Sequence, residues 1–170
     1  MNSKKHQLIL FLVLIFAVPV FIIILAQAGL FSGSAPTNLG VVNNRLQVPL
    51  KGNNSVSSQA DFFNKSEANI EYAKIEPLNY KGNGQAALIL IKESISIKFK
   101  EATLISEKEN YLHYEFKTSL MKLIDDVEFF LHEQENYIHF RSASRLDLND
   151  LGRNRKRMEE IRKFFMEVNK

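Results

Sequence analysis

Six of the seven arginines in this 170-residue chain lie between Arg141 and Arg162, whereas its fifteen lysines are spread along the whole length. The stretch reads Arg141-Ser142-Ala143-Ser144-Arg145, then Asp150-Leu151-Gly152-Arg153-Asn154-Arg155-Lys156-Arg157. A guanidinium is planar, grips carboxylate or phosphate with two parallel hydrogen bonds, and stays charged when partly buried. Three chemistries suit such a stretch. It can weave a web of arginine–carboxylate pairs, hold an anion or polar ligand, or support a hydrolase or transferase built on Ser142 or Ser144. The last needs a histidine or lysine base within hydrogen-bond reach of the serine. His132 and His139 are close in sequence, but strand parity sends them to the opposite sheet face.

The elements that would position these residues follow from apolar periodicity. Gln85 to Ser96 reads best as a largely buried helix, with a strand the alternative that its β-branched residues leave open, and Gly82-Asn83-Gly84 is a tight bend and no phosphate loop. Four strands follow: Ala102 to Ser106, then the alternations Leu112/Tyr114/Phe116, Val127/Phe129/Leu131 and Ile138/Phe140. The last two form a hairpin turning at Glu133–Asn136. Matching apolar faces pairs Leu131 with Ile138, Phe129 with Phe140 and Val127 with Ser142. The other face then sets Glu128 across from Arg141 and brings Asp126 diagonal to Arg141 and Arg145. A slip of one residue would expose the phenylalanines, so the parity is well determined. Asp125 and Asp126 therefore point to opposite faces and do not form a proton-sharing dyad.

A charged amphipathic helix from about Leu151 to Val168 closes the chain. At 100° per residue, Leu151, Met158, Ile161, Phe164, Phe165 and Val168 form its buried stripe. Asn154 falls in the middle of that stripe and Arg157 close to it, facing Ser142, Ser144 and Asp125. Asp150 sits where its carboxylate can cap the first free N–H groups. The architecture expected is α+β, a four-stranded antiparallel meander with helices packed on one face and the other face partly solvated, preceded by a single N-terminal transmembrane helix. The candidate ligand-binding residues are Asp126, Arg141, Ser142, Ser144, Arg145, Asp150, Asn154 and Arg157; no catalytic residue is assigned.

Upstream, residues 8–26 are an uncharged apolar run of about 28 Å as helix, the thickness of a bilayer's hydrocarbon core. Lys4 and Lys5 precede it, which places residues 1–7 in the cytoplasm, residues 8–28 in the membrane and the remainder outside. Ala26-Gln27-Ala28 also fits a small-x-small cleavage site, so release after Ala28 is the alternative. Residues 29–66, rich in Gly, Ser, Asn and Pro, read as an extended linker to a globular domain at 67–170.

Bulk properties exclude some functions. A chain that is 45% hydrophobic and 24% charged can build a core. The absence of cysteine removes disulfides, thiolate metal sites and cysteine nucleophiles. The formal charge is +3, yet beyond residue 28 there are 20 basic against 19 acidic residues. Residues 141–163 hold 8 basic and 4 acidic, leaving 12 against 15 elsewhere. That is a charge dipole without the broad basic footprint a nucleic-acid partner needs. The four histidines show no helical ligand spacing, and His132 with His139 is a poor metal pair, so neither metal nor cofactor is expected.

Several motifs together resemble the bacterial and plastid family known as domain of unknown function 1499. They are Asp125-Asp126-Val127-Glu128-Phe129, Arg141-Ser142-Ala143-Ser144-Arg145, and Asp150-Leu151-Gly152 followed by Asn154-Arg155, Arg157 and Glu159-Glu160-Ile161-Arg162. Upstream, Gly29-Leu30-Phe31-Ser32-Gly33, Pro36, Asn38-Leu39-Gly40 and Val56-Ser57-Ser58 also fit, so the resemblance runs from about residue 29 to the end. Two departures stand out: Ser55 occupies the place of the family's usual cysteine, and Asp147 that of a frequent glycine. The resemblance implies no established activity. The resulting expectation is a membrane-tethered, non-enzymatic domain binding an anionic small molecule, lipid headgroup or envelope partner. The alternatives are a structural or assembly role, and the serine hydrolase or transferase.

Overall fold

The computed structural model describes residues 2–168; Met1 and the last two residues, which the expected cytoplasmic segment and globular domain include, lie outside the described residues. Helix α1 (Asn2–Gln27) carries Pro19 in its interior, and Ser3–Gln27 is long and apolar enough to cross a membrane. Its end is joined to the globular part. Ala26 is fully buried, and Gln27 Nε2 donates to the Ser119 and Leu120 carbonyls at 3.2 and 2.8 Å.

The meander consists of β3 (Ala102–Lys108), β4 (Tyr111–Lys117), β5 (Ile124–His132) and β6 (Tyr137–Ser144), all antiparallel. Register follows the parity argument: Leu131 pairs with Ile138, Phe129 with Phe140, Val127 with Ser142 and Glu128 with Arg141. Two short strands extend the sheet to six. β1 (Ser55–Ser57) and β2 (Leu78–Asn79) both lie along β6, β1 beside Arg141–Ala143 and β2 beside Tyr137–Ile138. Together they cover an edge that would otherwise offer free N–H and C=O groups. β1 falls in the segment expected as linker, and Asn54 to Ser57 are completely buried. Only Val56 among them is apolar, and three residues are too few to show a strand period.

Helices α3 (Gly84–Lys98) and α4 (Arg153–Val168) pack on one face, with the one-turn helix α2 (Ile70–Ala73) near β1. Asn83 caps α3, accepting the Ala86 N–H at 2.9 Å, and Ala87, Leu88, Ile91 and Ile95 form its buried stripe. Gly84 allows a close approach, because a Cβ there would stand 2.8 Å from Leu131 Cδ1 and from the Tyr80 hydroxyl, and those side chains would have to shift. These helices cover Tyr114, Phe116, Val127, Phe129 and Phe140; the Tyr114 and Phe129 rings meet edge to face at 6.4 Å.

The opposite sheet face is covered over β4 to β6 and stays solvated at β3, whose residues are mostly exposed: the strand-free segment around residues 36–51 crosses it, with Leu46 packed on Tyr111 and Phe130. As a result every residue of β5 but His132 is buried. The apolar stripe of α4 is shorter than expected. Leu151 is 92% exposed and lies in a left-handed turn with Gly152 before the helix begins; Val168 is exposed and Phe164 half-buried. Asp150 takes the Gly152 and Asn154 N–H groups at 2.9 and 2.8 Å, which curls the chain and removes Leu151 from the wheel.

Val56→Ala in the full chain is expected to cost about 2 kcal/mol in denaturant unfolding, the scale of burying one valine. An unchanged midpoint would mean that residues 55–57 are only a tether.

Candidate functional site

Adjacent carboxylates on β5 organise the arginines on both faces of the sheet. On the helix face, Asp125 is fully buried. Its Oδ1 accepts from Ser144 Oγ at 2.6 Å. Arg153 donates to both its oxygens at 3.1 Å, and Arg157 Nη2 to Oδ2 at 2.5 Å. Arg157 Nη1 reaches Asn154 Oδ1 at 2.8 Å and Ser142 Oγ at 3.1 Å. Asn154, wholly buried, accepts from Ser142 Oγ at 2.5 Å. Its amide donates to Ser144 Oγ, the Asn54 carbonyl and Asp150 Oδ2 at 3.1, 3.1 and 2.8 Å. Each of these groups satisfies another, as buried polar groups must. The arrangement pins α4 and β1 to the sheet. Ser142 and Ser144 bond to Asn154 and Asp125, with no histidine or lysine in their hydrogen bonds, so neither of these two serines is paired with a base.

Asp150 adds a capping centre. Besides the two N–H groups, its carboxylate accepts the Tyr72 hydroxyl at 2.5 Å. Burial opposes ionisation of Asp150, but the Tyr72 hydroxyl and the Asn154 and Gly152 N–H groups outweigh it and hold the carboxyl below its usual range. Burial, with Asp150 beside it, pushes Tyr72 up to about 12.

On the opposite face, Asp126 accepts from Arg145 Nε and Nη2, both at 2.9 Å, and contacts His113 Nε2 at 2.9 Å. Arg145 also pairs with Glu115. Here too burial works against the charged carboxylate, and Arg145 and His113 prevail, keeping Asp126 below the ordinary carboxyl range. Glu128 accepts from Gly40 N and Tyr111 Oη, both at 2.8 Å. Arg141 is the odd member. It is 5% exposed, yet its one hydrogen bond reaches Glu128 at 3.4 Å, and its Nε has no acceptor among the described residues. Burial lowers its pKa, with Glu128 and Asp126 opposing that only in part.

Arg141, Arg145 and Asp126 line a cavity of about 490 Å³ beneath the crossing segment, closed on that side by Ser34, Asn38, Gln47 and Lys51 among others. The eight candidate residues are therefore not one site. Ser142, Asp150, Asn154 and Arg157 belong to the helix-face network; Asp126, Arg141 and Arg145 belong to the covered face. Ser144 bonds on the first and also borders the cavity.

Sequence reasoning missed His113 and Glu115 as partners of Asp126 and Arg145. Carrying the parity argument one strand further would have found them, since β4 sets Glu115 against Asp126. Asn54, Tyr72 and Lys51 had no local signal, because each arrives from a distant segment, Tyr72 from α2 and the others from loops. Ser55, in the place of the family's cysteine, is buried and accepts the Leu50 N–H at 2.8 Å. His132 and His139 are neighbours, ring centroids 5.9 Å apart, but no group of three or more His, Cys, Asp or Glu that could hold a metal occurs among the described residues.

The model of a family described as "Protein of unknown function (DUF1499)" matches residues 45–165. No curated protein and no solved structure matches the chain significantly.

Asp125→Asn is expected to destabilise the fold by about 3–5 kcal/mol in urea, because the buried Arg157 loses its counter-charge. Asp126 and Asp150 titrate lower folded than unfolded. Their contribution is thus complete above the unfolded value of about 4 and is lost as pH falls through the folded values. Unfolding midpoints should fall below about pH 4, and less steeply in Asp126→Asn.

Proposed function

The chain belongs to the DUF1499 family, and from that premise we propose that it is a membrane-anchored domain binding a small anionic ligand on the covered face of its sheet. The observation that carries this reading is Arg141. A buried guanidinium with one long hydrogen bond and an orphaned Nε is costly unless an acceptor completes it. It lies in the wall of a cavity of about 490 Å³, within the size range of small-molecule sites. A carboxylate or phosphate there would supply the missing acceptors and offset the burial that disfavours the cation. Lys51 and Arg145 add positive charge to the same wall, while Asp126, and Asp147 from the loop, limit the net charge.

The anchor reading is supported by α1 and by the way its end is held. Lys4 and Lys5 favour a cytoplasmic N-terminus and place the domain on the far side. Cleavage after Ala28 would remove Gln27 and its two hydrogen bonds to the loop at Ser119 and Leu120. We therefore favour the uncleaved form, with the domain held close to the bilayer.

A second reading, a structural or assembly component, is favoured by the self-satisfied Asp125 network, which needs no ligand. The two are separable by substitution. Native mass spectrometry of the full chain extracted from host membranes should show a small anionic adduct. Arg141→Lys should reduce its retention by about tenfold or more without lowering the melting temperature, since the lost contacts are to ligand. Arg145→Lys and Asn154→Ala should lower the melting temperature with or without ligand. A bare mass for the wild type, together with a melting loss in Arg141→Lys equal to that of Arg145→Lys, would leave the structural role as the better reading.

A further inference from the structure

A larger cavity, about 680 Å³, opens on the helix side of the sheet. It lies between the C-terminal end of α3, the ends of β3 and β4 and the first two turns of α4. Phe99 and Phe116 form its apolar floor, ring centroids 5.5 Å apart, and the Arg157 guanidinium sits 4.7 Å from the Phe116 centroid. The rim is basic: Lys100, Lys117 and Lys156 are exposed. None of the three is ion-paired among the described residues. Arg153 and Arg157 line it too, already engaged by Asp125. Five cations thus face Glu101, Glu160 and the Asp125 behind them, an excess of two positive charges.

The second observation concerns where this cavity opens. Thr118 and Ser119 complete its rim, and the same loop holds the end of the apolar helix. Gln27 bonds to the Ser119 and Leu120 carbonyls, and Ser32 Oγ donates to the Lys122 carbonyl at 3.3 Å. Leu30 and Leu120, on either side of that junction, are exposed. A basic, apolar-floored cavity therefore stands beside the loop that holds the end of α1, the point where α1 would leave a bilayer.

We infer that this cavity seats the phosphate-bearing headgroup of an anionic phospholipid from the membrane that α1 crosses. The inference rests on α1 being a membrane span. Juxtamembrane lysines and arginines are drawn to anionic lipid surfaces, and a guanidinium beside the site adds geometry suited to phosphate. The apolar floor suits the glycerol end of the lipid, which a free phosphate lacks. Seating a headgroup would fix the domain's rotation on the membrane, a constraint that the helix end by itself cannot impose.

The test uses the full-length chain in neutral detergent, offered phosphatidylglycerol and phosphatidylcholine together and read by native mass spectrometry. Phosphatidylglycerol should be retained about tenfold over phosphatidylcholine, and Lys100→Glu/Lys117→Glu/Lys156→Glu should bring the two to parity. The melting temperature should not change, since the three side chains are exposed. Equal retention of the two lipids, or a preference that survives the triple substitution, would overturn the assignment. Displacement of phosphatidylglycerol by excess inorganic phosphate would also overturn it and mark a free-phosphate site. Alkaline carbonate extraction of expressing cells separates the underlying reading. A soluble chain of the mass of residues 29–170 would sink the anchor itself, whereas a membrane-retained chain without lipid preference would sink only the cavity's role.

Discussion

Two successive carboxylates on a strand buried on both faces must each be neutralised on its own side, and most of the polar structure follows from that requirement. Asp125 and Asp126 cannot share a partner, because neighbouring strand residues point in opposite directions. Nor can they remain charged in the interior unpaired. Asp125 is met by Arg153 and Arg157 from α4, and Asp126 by Arg145 and His113. The helix is therefore seated by charge as well as by Met158, Ile161 and Phe165, and the segregation of arginine in the sequence has a structural cause. Lysine could supply the charge, but not the fork that lets Arg157 bridge Asp125, Asn154 and Ser142 at once.

The remaining arginines of α4 continue the same task with different acceptors. Arg155 donates to the Tyr72 and Lys74 carbonyls at 2.5 and 2.8 Å. Arg162 donates to the Pro77 carbonyl at 2.6 Å and also to that of Glu76. These carbonyls belong to the last turn of α2 and the loop from it to β2, which would otherwise leave backbone acceptors beside a hydrophobic core. Most of the arginine cluster is thus accounted for by architecture. Against that background Arg141 stands apart, a buried cation whose hydrogen-bonding capacity the protein itself does not fill. A fold that satisfies Asp125, Asn154, Ser142 and Ser144 so fully makes one under-satisfied guanidinium beside a cavity the more informative.

The segment before β1 links the sheet to the end of α1. It crosses the face carrying Asp126 and Glu128, donates the Gly40 N–H to Glu128 and buries Leu46 against Tyr111 and Phe130. Over β4 to β6 this gives three layers, crossing segment, sheet and helices, while β3 stays largely exposed. It also makes the small cavity, whose far wall the segment provides. Little in residues 29–54 announces this. Their apolar residues have no period, and the contacts of Ser32 with Lys122, Gly40 with Glu128 and Asn54 with Leu146 each span more than eighty positions. An extended chain docking on a sheet gains its stability from the surface it covers, and its own sequence need not show it.

The sequence by itself determined the α+β class, the apolar N-terminal helix and the hairpin register. Strand alternation leaves one pairing that buries Phe129 and Phe140, and that same parity decided that Asp125 and Asp126 face apart. It determined the inward direction of Asn154 and Arg157, because a 100° wheel with Met158, Ile161 and Phe165 buried has little freedom. Only the tertiary structure decided that the eight candidate residues divide between two faces. Likewise, only the tertiary structure brought Ser55–Ser57 to the edge of β6 and turned Leu151 out to solvent. Periodicity reports the direction of a side chain relative to its own element. Which distant segment arrives to cover it depends on long-range docking, and short, irregular segments carry no local pattern for that.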